Sequence, residues 1–284
     1  MINITACIDG SAISGSVCEA AAWAGTRLDA PLTFLHVLEK PNAPAKEDLS
    51  GAIGLGSREH LLDELTLLDE KRAKLALEHG KHMLEDAKAR AIALGATDVA
   101  LKQRHGNLME ELVACEADAR LFVMGRLGND HDINAQAIGS HLESVVRAIH
   151  TPILVTVGEF VRPTNYMIAY DGSETANKAI KRISTSPLLK SMPGHIVMVD
   201  GDSEANRNTL QRAVDLLLDS GHQITGHLVD GVVLECLEQF RQHNNIDLLV
   251  MGAYGHSRIR DFFVGSNTSK MIGNSVIPVL LLRK

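Results

Sequence analysis

The sequence lacks the features that mark two large classes of protein. Its 284 residues contain no basic run and carry a formal net charge of -7. This argues against a nucleic-acid-binding surface, because phosphate backbones attract clustered lysine and arginine. No apolar run approaches the roughly 20 residues that a membrane span needs. We therefore expect a protein that binds neither nucleic acid nor a membrane.

Cysteine is also scarce. Cys7, Cys18, Cys115 and Cys236 are scattered without a Cys-x-x-Cys pair, which suits buried reduced thiols better than a disulfide framework or a thiolate metal site. The first residues, Met1–Thr5, lack the basic region and cleavage site of a signal peptide. We expect a cytoplasmic protein.

The composition is sufficient for two folded domains. Hydrophobic residues make up 45% of the chain and charged residues 22%, as in ordinary globular proteins. The length exceeds that of a usual single domain, so two domains of about 140 residues each are the first expectation.

The beginning of the chain has the pattern of a βαβ unit. Ile2–Ile8 and Leu32–Leu38 are predicted strands, and Ile13–Leu28 between them has helical spacing. This arrangement predicts a parallel sheet. Further predicted elements are the strand Val99–Gln103, the helix Leu108–Ala117, the strand Leu121–Met124, the helix Gly139–Ile149 and the strand Ile153–Val157.

A loop rich in proline and glycine, Glu39–Ser57, precedes one long amphipathic helix or two over Glu59–Leu94. The predicted apolar face of this region consists of Leu61, Leu62, Leu65, Leu68, Leu75, Leu77 and Leu84.

The element order recurs after Val161, so the chain is an internal repeat. We predict domains at 1–158 and 162–284. Three stretches of the first half match the second: Thr5–Ser11 matches Met167–Ser173, Asp118–Gly125 matches Asp247–Gly252, and His150–Val155 matches Val276–Leu281.

The two copies differ in the length of their middle parts. Asp9 to Gly125 spans 116 positions, whereas Asp171 to Gly252 spans 81. The first copy therefore carries an insertion at about 39–75. It is either a lid, interface or extra contact, or a tolerated surface insertion.

The end of the chain carries a glycine pattern. The apolar strand Leu248–Met251 leads into Gly252 and Gly255, and nine residues later Gly265 and Ser266 open a predicted helix. Glycines allow a ligand to approach the backbone, and unpaired N–H groups at a helix start attract an anion such as phosphate.

This Gly-x2-Gly-x9-Gly-Ser spacing resembles the nucleotide-binding pattern of the universal stress protein family. The resemblance covers nearly the whole chain as two fused copies. It implies an α/β fold of two tandem doubly wound, Rossmann-like domains of the adenine nucleotide α-hydrolase-like kind. Each would have a five-stranded parallel sheet with helices on both faces. It also implies ATP as the ligand, with or without Mg²⁺.

The resemblance assigns roles to residues of the second copy. The Asp171 side chain and the Val199 main chain would face adenine, while Thr268 would add a hydroxyl group. Arg258 lies in the nine-residue loop, where it either neutralises phosphate charge or is a solvated cation. The residues assigned to ribose and phosphates are Gly252, Gly255, Gly265 and Ser266.

Turn chemistry is the alternative explanation for the Asp171-Gly172-Ser173 sequence. In that case Ser173 caps the following helix, and Asp171 belongs to the turn alone. We expect Ser173 to be a cap and Asp171 to have the binding role as well.

The first copy has a different loop. Ten residues, not nine, separate Gly128 from Gly139, and they include Asp130 and Asp132. These give a charge of -2, whereas Arg258, Arg260 and Asp261 give +1 in the second copy. Because like charges repel a triphosphate, we predict a single nucleotide site, in the second copy.

The matching residues of the first copy, Asp9, Gly125, Gly128, Gly139 and Ser140, would then keep the fold or bind another ligand. His131, Asp132 and His141 lack the defined spacing of metal ligands, so we interpret them as loop residues. We predict no metal site and no catalytic residue.

Three functions remain open. The first is a cytoplasmic, ATP-binding tandem protein that acts as a nucleotide-dependent module in stress adaptation, as the resemblance implies. The second is a slow ATPase or autokinase. The third is a nucleotide-independent scaffold for a protein or an apolar ligand.

Family members pair through their last strands, which here are Ile153–Val157 and Val279–Leu282. The resemblance therefore also implies a pseudo-dimer within one chain, which could dimerise further.

Overall fold

The computed structural model describes residues 2–39, 55–128, 139–253 and 267–283. Strands and helices alternate along the chain. Its first nine elements are β1 (Asn3–Cys7), α1 (Ser14–Leu28), β2 (Leu32–Leu38), α2 (Leu55–Ala93), β3 (Val99–His105), α3 (Leu108–Cys115), β4 (Ala119–Gly125), α4 (Ser140–Ala148) and β5 (Ile153–Thr156). The other nine are β6 (Tyr166–Tyr170), α5 (Glu174–Thr185), β7 (Pro193–Val199), α6 (Glu204–Asp219), β8 (Gln223–Val229), α7 (Val233–His243), β9 (Leu249–Gly252), α8 (Asn267–Asn274) and β10 (Val279–Leu282).

All ten of these strands belong to one sheet. Their order is β3-β2-β1-β4-β5-β10-β9-β6-β7-β8. Pairs within each set of five are parallel. The two sets meet in an antiparallel pair of β5 and β10, in which Leu280 lies opposite Leu154. The predicted pairing of the two last strands within one chain is therefore confirmed.

Both faces of the sheet are buried, and successive residues of β10 belong alternately to the core on one face and to the core on the other. Leu280 and Leu282 belong to one core cluster, while Val279 and Leu281 belong to the other. Successive strand residues point to opposite faces. A run in which every residue is apolar is therefore what a sheet covered by helices on both faces requires.

One core cluster runs across the junction between the two sets of strands. It contains Ile4 and Trp23 from the first half and Tyr166 and Leu280 from the second. Trp23 of α1 lies against Phe160 of the connecting segment, with ring centroids 6.0 Å apart. The two halves thus share a core on this face.

The predicted apolar face of α2 is wrong over much of its length. Leu84 is buried, but every residue from 63 to 79 is exposed. Leu65 is 50%, Leu68 44%, Leu75 65% and Leu77 40% exposed. The cause is length: a 39-residue helix is about 58 Å long, whereas the seven-residue strands β2 and β3 span about 23 Å. The sheet can cover only the second part of α2.

Length alone does not make α2 a membrane helix. A span needs about 20 predominantly apolar residues, whereas α2 is rich in charged residues. Among the described residues, no helix combines the length and the apolar character that crossing a bilayer requires.

Candidate functional site

Three strand ends of the second half meet at one edge of the sheet. Strand β6 lies between β7 and β9, and all three are parallel. Asp171 directly follows β6, Val199 is the last residue of β7, and Gly252 is the last of β9. The chain leaves β6 toward β7 on one side and returns in β9 on the other. Such a reversal opens a crevice in which doubly wound proteins bind ligands.

The turn after β6 fixes the position of Asp171. Its Oδ1 accepts a hydrogen bond from the backbone N–H of Ser173 at 3.0 Å. Gly172 between them has φ +70°, a left-handed conformation that favours glycine. The Ser173 hydroxyl oxygen in turn accepts from the N–H of Ala176 at 3.1 Å. Ser173 therefore caps α5, as predicted, and the same turn orders the Asp171 carboxylate.

Gly252 has a packing reason to be glycine in addition to the predicted binding role. A Cβ atom at this position would lie 3.3 Å from Cγ2 of Thr175, in the first turn of α5. This is tighter than most real Cβ contacts. The end of β9 therefore lies close to the beginning of α5.

Most of the predicted phosphate loop lies outside the described residues. This applies to Gly255, Arg258, Gly265 and Ser266. Thr268 lies in the first turn of α8. The roles assigned to these five residues therefore stay predictions.

The matching edge of the first half is described more fully. Asp9 follows β1 and Gly125 ends β4, the neighbouring strand. Asp9 Oδ1 accepts hydrogen bonds from Ser11 N at 2.9 Å and from Ser14 Oγ at 3.1 Å. A Cβ atom on Gly128 would lie 3.3 Å from Asp9 Oδ2, so this carboxylate lies against the glycine loop.

A cavity of about 180 Å³ lies at this edge of the first half. It is smaller than the roughly 300–1,000 Å³ of typical ligand pockets. Two of the residues that line it, Asp9 and Glu39, carry carboxylates, and His141 Nδ1 lies 3.4 Å from Glu39 Oε1. The negative charge predicted from Asp130 and Asp132, which lie outside the described residues, is thus joined by carboxylates on the cavity wall.

Cys7 also lines this cavity, but as a neutral thiol. Burial, with smaller effects of Asp9 and Cys115, raises the pKa of Cys7 to about 12. Burial likewise raises the pKa of Cys18 to about 11. Both groups stay protonated near neutral pH, and of the four cysteines Cys18 is the one that is buried, as predicted, whereas Cys7, Cys115 and Cys236 are partly exposed.

Arg126, between the first two glycines of the first-half loop, has a role that the sequence did not reveal. It is buried, and its Nη1 donates to the carbonyl oxygens of Gly273 at 2.7 Å and Ser275 at 2.8 Å. These carbonyls lie at the carboxyl end of α8, where a cation is favoured. Burial lowers the pKa of Arg126. The first-half loop thus contacts the helix that follows the second-half loop.

Two histidines of the second half were also missed. His195 on β7 and His227 on β8 lie with Nδ1 and Nε2 3.0 Å apart, beneath Phe240 of α7. His195 precedes Val199 by four positions, which is roughly 13 Å along a strand. The pair is therefore part of the packing behind the strand ends and not of the crevice.

Comparison with known proteins agrees with this geometry. The chain matches the family model described as Universal stress protein family over residues 1–156 and 220–283. Universal stress protein Slr1230 from Synechocystis sp. is 33% identical over 290 residues, which cover 100% of both chains.

Solved structures show the same fold. A universal stress protein from Archaeoglobus fulgidus superposes with a TM-score of 0.68 at 18% identity, covering 100% of this chain and 97% of that chain. A protein of unknown function from Pseudomonas aeruginosa gives a TM-score of 0.60 at 14% identity, covering 100% and 92%. The predicted doubly wound α/β fold is confirmed.

Proposed function

This chain belongs to the universal stress protein family, and on that premise we propose that it is a tandem, ATP-binding member with one nucleotide site, in its second half. Its role would be that of a cytoplasmic, nucleotide-dependent module in stress adaptation.

The meeting of three strand ends carries the proposal. Asp171, Val199 and Gly252 end neighbouring parallel strands where the strand order reverses, and such a crevice suits a nucleotide. In the proposed complex the Asp171 carboxylate and the Val199 main chain contact adenine. Gly252, with the loop that follows it, contacts ribose and phosphates.

The helix after this loop supplies the second part of the site. Thr268 lies in the first turn of α8, two positions after Ser266 in the sequence, and backbone N–H groups at a helix start favour an anion. Arg258 and bound Mg²⁺ would neutralise further phosphate charge. A nucleotide would therefore lie between the carboxyl ends of the strands and the first turn of α8.

The electrostatics of the first half support a single site. Asp9 and Glu39 line its cavity, and Arg126, a cation of its loop, is hydrogen-bonded to the end of α8. A triphosphate at that edge would meet these carboxylates, while the Nη1 of Arg126, which also lines the cavity, already donates to Gly273 and Ser275. The equivalent of Arg126 in the second half is Ala253, which carries no charge.

Calorimetric titration of ATP with Mg²⁺ into purified protein freed of co-purified nucleotide tests the proposal. Wild type should bind about one equivalent. Gly265→Val should abolish binding, because a branched side chain would block the backbone from the phosphates. Asp171→Ala should weaken it.

The matched control is Asp9→Ala, which removes the corresponding carboxylate of the first half and should leave binding unchanged. Circular dichroism establishes that each variant is folded. Two equivalents in wild type, or loss of binding in Asp9→Ala alone, would place nucleotide in the first half and refute the single second-half site. No binding at all would favour the scaffold function, for which the unpacked part of α2 is the supporting observation.

A further inference from the structure

The first part of α2 extends beyond the body of the protein. We call residues 63–79 the arm, since each of them is exposed although the helix is continuous through them. The helix becomes buried only from Gly80 and Leu84 onward. Helices in proteins gain most of their stability by burying an apolar face. Against the residues that the structure describes, the side chains of the arm have no such burial.

Three exposed leucines of the arm form a line along one side of the helix. Leu65, Leu68 and Leu75 are separated by three and seven residues, so they occupy seam positions between two packed helices, and Arg72 occupies the seam position between Leu68 and Leu75. We call them the leucine stripe. Leu67 and Leu77 are also exposed but lie on other sides of the helix. The stripe therefore matches one partner helix rather than a general coating of apolar groups.

The charges of the arm are separated along its length. Residues 63–70 contain four acidic residues and no basic residue, a charge of -4. Residues 71–79 contain three basic residues and one acidic residue, a charge of +2. The charged residues are Asp63, Glu64, Asp69 and Glu70 in the first part, and Lys71, Arg72, Lys74 and Glu78 in the second.

We propose that two copies of this chain associate through their arms, packed antiparallel with the leucine stripes facing each other. An antiparallel copy places the acidic part of each arm beside the basic part of the other. A parallel copy would place the two acidic parts, each with a charge of -4, beside each other. Charge complementarity thus selects both the partner, a second copy, and its direction.

A two-fold axis near Glu70 sets the register of this pairing. In this register Leu65 of one copy lies opposite Leu75 of the other, and Leu68 opposite Arg72. Arg72 and Asp69 form an exposed ion pair within one helix, with Nη1 and Oδ1 3.9 Å apart. In the dimer Asp69 of one copy lies opposite Lys71 of the other, so an acidic and a basic residue also face each other across the axis.

This interface differs from the pairing of β5 with β10. That pairing lies at the centre of the sheet and joins two halves of one chain. The arm belongs to the helix that covers β2 and β3, at one end of the sheet. Arm pairing would therefore join two separate chains.

Analytical ultracentrifugation of the full chain over a wide concentration range tests whether the leucine stripe stabilises a dimer. Wild type should form a dimer. Leu65→Glu with Leu68→Glu should raise the dissociation constant by at least about tenfold, because two buried leucines are lost. The matched control, Leu67→Glu with Leu77→Glu, adds the same charge on other sides and should still dimerise.

These variants lie in exposed positions, and equal thermal unfolding would show that each remains folded. Wild type that stays monomeric at the highest concentration would overturn the proposal. It would do so even if the arm bound a different protein. A dimer that survives in the stripe variant would overturn it as well.

A charge-swapped arm tests the direction. In this variant the four acidic residues of 63–70 become lysine, and Lys71, Arg72 and Lys74 become glutamate. Antiparallel packing predicts that swapped chains dimerise with each other as wild type does, and mix poorly with wild type. Preferential dimers of one swapped and one wild-type chain would instead indicate parallel arms and contradict the proposed geometry. High salt should weaken every antiparallel dimer.

Discussion

The two halves of the chain have the same strand order on either side of the β5–β10 pair, and they differ outside the sheet. One difference is the helix after the second strand, which has 39 residues in α2 and 16 in α6. Another is the residue after the fourth strand, Arg126 in one half and Ala253 in the other. Strands buried on both faces tolerate little change, whereas helix ends and loops are free to acquire separate roles.

The helix α6 shows what the fold itself requires. It is about 24 Å long, close to the length of the seven-residue strands that it covers. Its buried residues include Leu210, Val214 and Leu217. The equivalent part of α2 contains the buried Leu84, Ala87 and Ala91. Only this second part of α2 is a counterpart of α6, and the arm is an addition to it.

The largest difference in stability should be between substitutions in the buried part of α2 and substitutions in the arm. Leu84→Ala should lower the free energy of unfolding by about 2–5 kcal/mol, because it leaves a cavity in the core. Leu67→Ala, on the exposed arm and off the leucine stripe, should change it by less than about 0.5 kcal/mol. Urea denaturation of both variants provides the measurement. Equal losses would mean that the arm packs on the body and that the division of α2 is wrong.

The sequence predicts the core of this fold better than its additions, and α2 explains why. Apolar runs bounded by turn residues located the strands, and β2 has the predicted bounds, Leu32–Leu38. Helical spacing predicted one apolar face for α2, although Leu77 lies on a different side from Leu65, Leu68 and Leu75. The spacing could not tell what covers the predicted face, because burial depends on how far the neighbouring strands extend. The amphipathic pattern therefore predicted a face toward the core where the chain leaves it exposed.

The candidate site shows the same limit. Asp171 and Gly252 were located by motif and Val199 by strand position, and all three are at the strand ends. The partners of Arg126, Gly273 and Ser275, lie 147 and 149 positions away along the chain. No local pattern indicates such a contact. A single arginine between two glycines has no spacing that would distinguish a structural cation from a ligand-binding one.

A smaller loss of stability should follow from breaking the contact between Arg126 and the carboxyl end of α8. Arg126→Ala removes two hydrogen bonds from a charged donor to the end of α8 and should lower the free energy of unfolding by about 1.5–3 kcal/mol. The matched control is Arg147→Ala, which breaks an exposed ion pair with Glu143 and should have an effect below about 1 kcal/mol. Chemical denaturation at one pH compares the two. If Arg126→Ala behaves like the control, the link between the first-half loop and α8 contributes nothing to stability.

The smallest effect concerns pH and the histidine pair of the second half. Burial is the main cause that lowers the pKa of His195 and of His227, and each lies beside the other. The unfolded chain therefore takes up protons at these positions near pH 6.5, before the folded chain does. Stability that is present above this pH should fall as the pH drops below it.

Replacing both histidines by leucine tests this sign. The variant should lose less stability than wild type between pH 7.5 and 5.5, whatever its stability at pH 7.5, because two groups that bind protons on unfolding are gone. His105→Gln, at an exposed position at the end of β3, is the control for the loss of a histidine elsewhere in the chain. An unchanged slope in the double variant would mean that the pair is protonated equally in both states. The pair would then be a packing element that does not make the second half sensitive to acid.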